Sequence, residues 1–405
     1  MIDVREAREI ILREISSLKE SESLKIGSSV GRVSALDIKA RENIPPFDNS
    51  AMDGFAVKAE DLQGASRENP KTLRVIEDLP AGYTTIKTIQ TDEAIRIMTG
   101  ASLPRGADSV VMVEDTSPVT SQKDFVKIFR EIKLGENVRY AGEDLRKGET
   151  AIKKGSILKP GHIGMLASLG ISHIKVFRKP KVAILATGDE LAEVEDKLKP
   201  GKIRNSNAYS LCAQALRSGS SPVLLGIARD TKRDLEQKIR KGLNADMLLV
   251  SGGISVGDYD FVKDVLKNLG TEMKFWRVAM KPGKPLAFGM IKKMPVFGLP
   301  GNPVSSMITF EQFVRPALLK MSGARDLFRF HLPAIVKNDF QKKKGLRYFL
   351  RVVLENKNGS LYASLTGPQG SGILRSMVLA DGIMELPEET EKVRAGESAQ
   401  VTYLD

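Results

Sequence analysis

Five short segments of this sequence carry groups that can handle anions and hard cations. TGDEL (187–191) holds Glu190, and Asp230 follows the run PVLLGIAR. SGGISVGDYD (251–260) combines paired glycines with Asp258 and Asp260, MKPGKP (280–285) sets Lys281 and Lys284 about a Pro-Gly turn, and PGNPVS (300–305) ends on Ser305. Gly252 and Gly253 would let backbone N–H groups approach an anion, and the helix after Asp260 would add its positive end. That describes a phosphate cradle without a Walker lysine. The chain has neither GxxxxGK[ST] nor GxGxxG, which weakens ordinary nucleotide-hydrolysis and dinucleotide readings. Candidate ligand-binding positions in these loops are Gly188, Ser251, Gly252, Gly253, Ser255, Gly257, Pro300 and Pro303. Glu190, Asp230, Asp258 and Asp260 could hold Mg²⁺ beside phosphates. The alternative is that the aspartates only cap helices. Two ammonium groups on a proline-stiffened turn suit an oxyanion, whereas most lysines are solvated surface groups.

The elements that must position these loops change character twice along the chain. Residues 1–178 open with an amphipathic helix whose apolar side carries Ile2, Ala7, Ile10, Ile11, Ile15 and Leu18. Short extended runs follow, at 44–57, 93–101 and 107–116, and predict a β-rich, twisted or barrel-like region. A subdomain is expected as an insertion spanning about 50–138. A helix over 159–171 should close at Gly170. From 179 to 324, strands at 181–187, 222–228, 247–251, 273–280 and 295–299 alternate with helices opening at Ser206, after Thr231, near Asp260 and at Pro303. That alternation predicts a doubly wound parallel sheet, with ligands outside the carboxyl ends of its strands. Residues 325–405 read as short strands broken by turns, a small closed β-domain. The expected class is multidomain α/β plus β.

Composition narrows the chemistry. One cysteine, Cys212, excludes an internal disulfide or a thiolate site from one chain, and His162, His173 and His331 lack metal-ligand spacing. Cys212 and Trp276 read as packing residues. The net charge of +12 fits an anionic substrate or nucleic acid, but aromatics are only 6% and the basic residues are dispersed, which argues against nucleic acid. Nothing resembles a membrane span or a signal peptide, so a cytoplasmic protein is expected.

IPPFDNSAMDGFAV, IRIMTGA, GADSVV, ENVRYAGEDLRKGE, TGDEL, SGGISVGDYD, FWRVAMKPGKP and GLPGNPVSS occur here in the order seen in the molybdopterin molybdenumtransferases. The chain resembles these MoeA-type enzymes, relatives of the gephyrin E domain, over nearly its whole length. The resemblance implies a homodimer of four-domain subunits, with a middle domain similar to molybdopterin adenylyltransferases. It implies adenylylated molybdopterin as substrate, supplied by such an adenylyltransferase, with molybdate (or tungstate) inserted and AMP released in the presence of Mg²⁺. In such dimers the active site lies between the sheet edge of one subunit and the amino-terminal region of the other. Carried onto this sequence, Asp53, Thr99, Asp144, Glu190, Asp230, Asp260, Arg277 and Lys281 fall at catalytic positions, Arg277 standing where many relatives have lysine. Lys284, Ser305, Arg347 and Ser371 fall at molybdate-contacting positions, with Arg351 close to Arg347. The competing readings are an adenylyltransferase and a scaffold of the gephyrin E type.

Overall fold

The computed structural model describes residues 1–120, 124–253 and 261–404. The chain forms two compact units. The smaller comprises 37–154 and 160–172, and the larger comprises 1–36, 155–159 and 173 onward. The opening helix Val4–Glu14 therefore belongs with the larger unit rather than with the strands that follow it. Its Val4, Ala7 and Ile11 are buried in the core of the α/β domain. Amphipathicity showed that the helix has a buried face, but not which core receives it.

In the smaller unit, β1 (Gly54–Val57), β2 (Lys71–Leu79), β3 (Glu93–Ile97), β4 (Ser109–Met112), β5 (Thr116–Pro118) and β6 (Phe125–Ile128) form one sheet in the order β4-β1-β3-β2-β6-β5. Alternate residues bury on its two faces, Phe55 and Val57 in one cluster and Ala56 in the other. Gly54 is obligatory where β1 meets β4, because a Cβ there would lie 1.8 Å from the Val111 carbonyl oxygen. The helix Pro160–Ser168 contributes Met165 to a separate cluster around Ala40, Leu145 and Leu169.

In the larger unit, β7 (Lys181–Thr187), β8 (Ser221–Ala228), β9 (Met247–Ser251), β10 (Thr271–Arg277), β11 (Pro285–Ile291) and β12 (Met294–Leu299) run in the order β8-β7-β9-β12-β11-β10. The first four are parallel, as expected from the alternation. β11 and β10 are antiparallel, so the sheet is mixed. β11, not among the strands expected from sequence, forms a hairpin with β12 at Lys292, a residue with φ of 55°. The helix Ser206–Arg217 is capped by Asn205, whose side chain accepts from the Ala208 N–H. Thr231 caps the helix Lys232–Gly242 by accepting from the Asp234 N–H, while the Asp234 carboxylate accepts from Arg229 rather than from the cap itself. The predicted helix from Pro303 to Met321 forms, with a π-helical turn at Phe310–Val314 in its middle.

The carboxy-terminal strands β13 (His331–Val336), β14 (Arg347–Lys357), β15 (Ser360–Leu365), β16 (Gly382–Leu386) and β17 (Ser398–Tyr403) close into a barrel through the β14–β16 pairing. Val336, Leu350, Val352, Met384 and Val401 fill it. Met280 and Lys281, which belong to the α/β domain by sequence, pair in parallel with Arg347 and Tyr348 and so extend the barrel sheet.

Candidate functional site

Within the larger unit, a cavity of about 590 Å³ lies among the 280–285 turn, the start of the Pro303 helix and β14. Lys281, Lys284, Ser305, Arg351, Gln369 and Ser371 give it polar walls, and Phe340, Leu346 and Tyr348 an apolar one. Pro282 and Pro285 restrict the turn that carries both lysines. The Val304 N–H donates to the Ser371 carbonyl (3.1 Å), tying the barrel loop to the helix start. Lys284, Ser305 and Ser371, expected together as molybdate contacts, are thus brought to one cavity with Lys281, which was expected at a catalytic position.

Arg351 is the unusual member. Its side chain is 0% exposed. Nε donates to Ser376 Oγ and Nη2 to the Gly370 carbonyl, both at 3.1 Å, while Nη1 is buried with no partner among the described residues. Burial alone pushes this guanidinium down to about 10, with no carboxylate acting on it. It is still charged at neutral pH. A buried cation with an unpaired donor is costly to the fold.

Arg347, the arginine expected here from the resemblance, is not brought to the cavity, whereas Arg351 lines it. Arg347 is absent from the cavity lining, and its guanidinium is held by Glu385 (2.6 Å) and Glu388 (2.8 Å). Strand alternation sends both arginines to one side of β14, so the acids on and after β16 make the difference. Arg277 is exposed at the end of β10 and does not line the cavity either.

The other sequence-assigned loops gather at the carboxyl ends of β7, β9 and β12. Asn207 Nδ2 donates to Ser251 Oγ (2.9 Å) and to the Gly301 carbonyl (2.8 Å), joining the loop after β9 to the one after Pro300. The loop after Pro300 continues through Pro303, the first residue of the helix, to Ser305. The Asp189 and Asp230 carboxylates each accept from the other residue's N–H, at 3.3 and 3.2 Å. The Glu190 carboxylate lies over Gly188, where a Cβ would sit 2.4 Å from Oε2.

The expected anion cradle is altered in one respect. The Gly252 N–H donates to the Leu299 carbonyl (3.0 Å) and is not available to a ligand. Gly252 is required for a different reason, since a Cβ there would lie 2.5 Å from the Thr187 carbonyl oxygen. Thr187 Oγ1, beside Gly252 and Gly253, is buried without a partner among the described residues. Ser255, Gly257, Asp258 and Asp260 lie outside the described residues. Among the described residues no three metal-type side chains cluster. The carboxylates of Glu190 and Asp230 have the hard oxygen donors Mg²⁺ prefers, and they are the described part of the proposed set.

In the smaller unit, the Thr99 N–H and hydroxyl both donate to Asp53 Oδ1 at 2.7 Å. The Thr99 N–H, and then its hydroxyl, hold the Asp53 carboxyl below its ordinary value. Asp144 is exposed, its N–H donating to the Ile44 carbonyl (3.1 Å).

Thr187, Asp189, Asn207, Asn302 and Gln369 were not singled out from sequence. Thr187 and Asp189 flank Gly188 in a motif already noted, and Asn302 lies inside PGNPVS. Asn207 and Gln369 gave no signal, because their partners are remote in the chain.

Residues 2–170 match the family model described as MoeA N-terminal region (domain I and II). Residues 183–320 match a probable molybdopterin binding domain, and 333–404 match MoeA C-terminal region (domain IV). A molybdopterin molybdenumtransferase of Bacillus subtilis is 37% identical over 95% of this chain and 90% of its own. One from Haemophilus influenzae is 36% identical over 99% and 98%. The crystal structure of the molybdopterin biosynthesis MoeA protein from Pyrococcus horikoshii OT3 superposes with a TM-score of 0.85, at 33% identity and covering 100% of both chains. Among the described residues, no helix is long and apolar enough to cross a membrane. With full-length relatives above 35% identity and the same three regions in the same order, the chain belongs to the molybdopterin molybdenumtransferases, the MoeA family of transferases in molybdenum cofactor biosynthesis.

Proposed function

We propose that this enzyme inserts molybdate into the dithiolene of adenylylated molybdopterin and releases AMP. The observation that carries the reading is Arg351, a buried cation whose Nη1 is unpaired beside a cavity also lined by Lys281, Lys284, Ser305 and Ser371. A tetrahedral dianion needs this mixture of guanidinium, ammonium and hydroxyl donors. The exposed Lys281 and Lys284 draw the dianion in, and Arg351 with the two serines fixes it. The adenylyl phosphate is assigned to the neighbouring sheet edge, where Ser251, Gly253 and the unpaired Thr187 hydroxyl supply donors. Glu190 and Asp230, with Asp258 and Asp260, are proposed to hold Mg²⁺, which when bound offsets negative charge as the phosphate bond breaks. Asp53, whose carboxyl Thr99 holds below its ordinary value, is assigned to the reaction as an acceptor of charge-assisted hydrogen bonds.

The protein is further proposed to act as a homodimer and to receive its substrate from a molybdopterin adenylyltransferase. Sedimentation at micromolar protein tests the first point, and a monomer would overturn it. The activity is tested by supplying adenylylated molybdopterin, Mg²⁺ and molybdate, and measuring AMP and finished cofactor. Release of both supports the reading. AMP formation that ignores molybdate overturns it, and consumption of ATP with unmodified molybdopterin would favour the adenylyltransferase.

A further inference from the structure

Two ammonium groups approach one aromatic ring at the cavity wall. Lys281 Nζ and Lys342 Nζ each lie 5.3 Å from the centroid of Tyr348. They are held very differently. Lys342 is only 7% exposed, and its ammonium donates to the carbonyls of Leu346 (2.9 Å) and Glu388 (3.2 Å). Lys281 is exposed, and among the described residues its ammonium has neither a hydrogen bond nor an ion pair. A lysine on a flexible four-carbon stem would ordinarily sample many rotamers in water. Here the parallel pairing of Met280–Lys281 with Arg347–Tyr348 places the Lys281 stem directly beside the ring. Tyr348 itself is 7% exposed, and Phe340 packs edge-on against it with centroids 6.1 Å apart.

We infer that Tyr348 is a positioning residue for the anion cavity, whose ring pre-places the otherwise unrestrained Lys281 ammonium for an oxyanion. The attraction is between the cation and the ring's negative face. Restricting Lys281 before binding lowers the ordering cost that the anion would otherwise meet. Lys342, fixed by backbone carbonyls, keeps a second cation against the same ring. The inference rests on the cavity being an oxyanion site, as proposed above. It adds that affinity depends on an aromatic ring which itself need not touch the ligand.

The test is calorimetric titration of the full-length protein with sodium molybdate alone. Tyr348→Leu should weaken binding about fivefold, a typical loss for one cation–ring contact at a partly exposed site. Tyr348→Phe keeps the ring and should stay within about twofold of the native protein. On a Lys281→Met background, Tyr348→Leu should cause no further loss, because the ring acts through that ammonium. Thermal melting of each variant checks folding, since Tyr348 also packs in the barrel core. If Tyr348→Leu costs the same factor with and without Lys281, or if Phe fails as Leu does, the positioning role is overturned. Native protein that binds no molybdate overturns the cavity assignment, whereas native and Tyr348→Leu proteins that bind it equally overturn only the role of the ring.

Discussion

Two positions on one barrel strand treat the same side chain in opposite ways. At one end of the stretch from Arg347 to Arg351, Glu385 and Glu388 hold Arg347 through charge-assisted hydrogen bonds of 2.6 to 3.1 Å. At the other, Arg351 is more deeply buried and has a serine hydroxyl and one carbonyl for company. The first arrangement is complete without any ligand and contributes to the fold. The second is incomplete, and folding energy from the barrel core must offset it. Nearness to a cavity would not by itself separate the two roles. The unsatisfied donor does, because native interiors rarely leave one.

Breaking the satisfied end should have the largest effect. Arg347→Met strands two carboxylates whose side chains are only 13% and 16% exposed. Unfolding free energy in urea should fall by about 3–5 kcal/mol, the usual result of removing one partner from a buried pair. Molybdate affinity, measured in the same preparation, should not change. Next comes the unsatisfied end. Arg351→Met should weaken molybdate binding about ten- to a hundredfold, since a hydrogen bond to a charged group contributes about 1.5–3 kcal/mol. Its melting temperature should hold or rise, because an uncompensated buried charge is gone. Melting well below the native protein would mean that Arg351 is structural as well, and the contrast would collapse.

The two ends can also be made alike. Ser376 Oγ lies 3.1 Å from Arg351 Nε, so Ser376→Asp would supply the missing acid. Molybdate affinity should drop about tenfold as the internal carboxylate competes with it, with no loss of stability. An affinity equal to native in titration calorimetry would argue that the cavity anion sits elsewhere.

The smallest effect is in pH dependence. Burial pushes Arg351 down to about 10 in the fold, well below the ordinary value of a guanidinium. Below 10 both folded and unfolded chains carry this proton, and it adds no slope. Between the two values the unfolded chain keeps a proton that the native state has released, so stability rises with pH, by at most about 1.4 kcal/mol per unit. Urea unfolding at pH 9.5–11 should therefore be steeper in the native protein than in Arg351→Met. Arg347 offers no such rise. Burial works to lower it, but Glu388 and Glu385 outweigh that and hold it above its ordinary value.

The same pair explains how much could be read from sequence. Local signals served well. Thr231 with Asp234 marked a helix start, Pro303 another, and Gly170 follows the helix Pro160–Ser168 with a positive φ of 67°. The loops at the strand ends, and the lysines of the 280–285 turn, follow from spacing alone. Choosing between Arg347 and Arg351 does not. The decisive acids lie at 385 and 388, and only barrel closure brings them beside β14. β11 escaped notice because its hairpin turns at Lys292, where a positive φ would be expected of Gly or Asn. The fate of the Gly252 N–H was equally invisible, since Leu299 reaches it from a different strand.

The small parallel pairing of Met280–Lys281 with Arg347–Tyr348 has a consequence for how this polypeptide could be dissected. The last helix of the α/β domain and the first barrel strand are joined by residues 322–330, the stretch at which the gene would be split to separate the two. A nick there would sever the chain without freeing the barrel. The two fragments would remain clasped by backbone hydrogen bonds at 280–281 and again between Val304 and Ser371. Expressed separately, each half would carry only part of the anion cavity, and recovering the whole would require the fragments to find each other and re-form that seam.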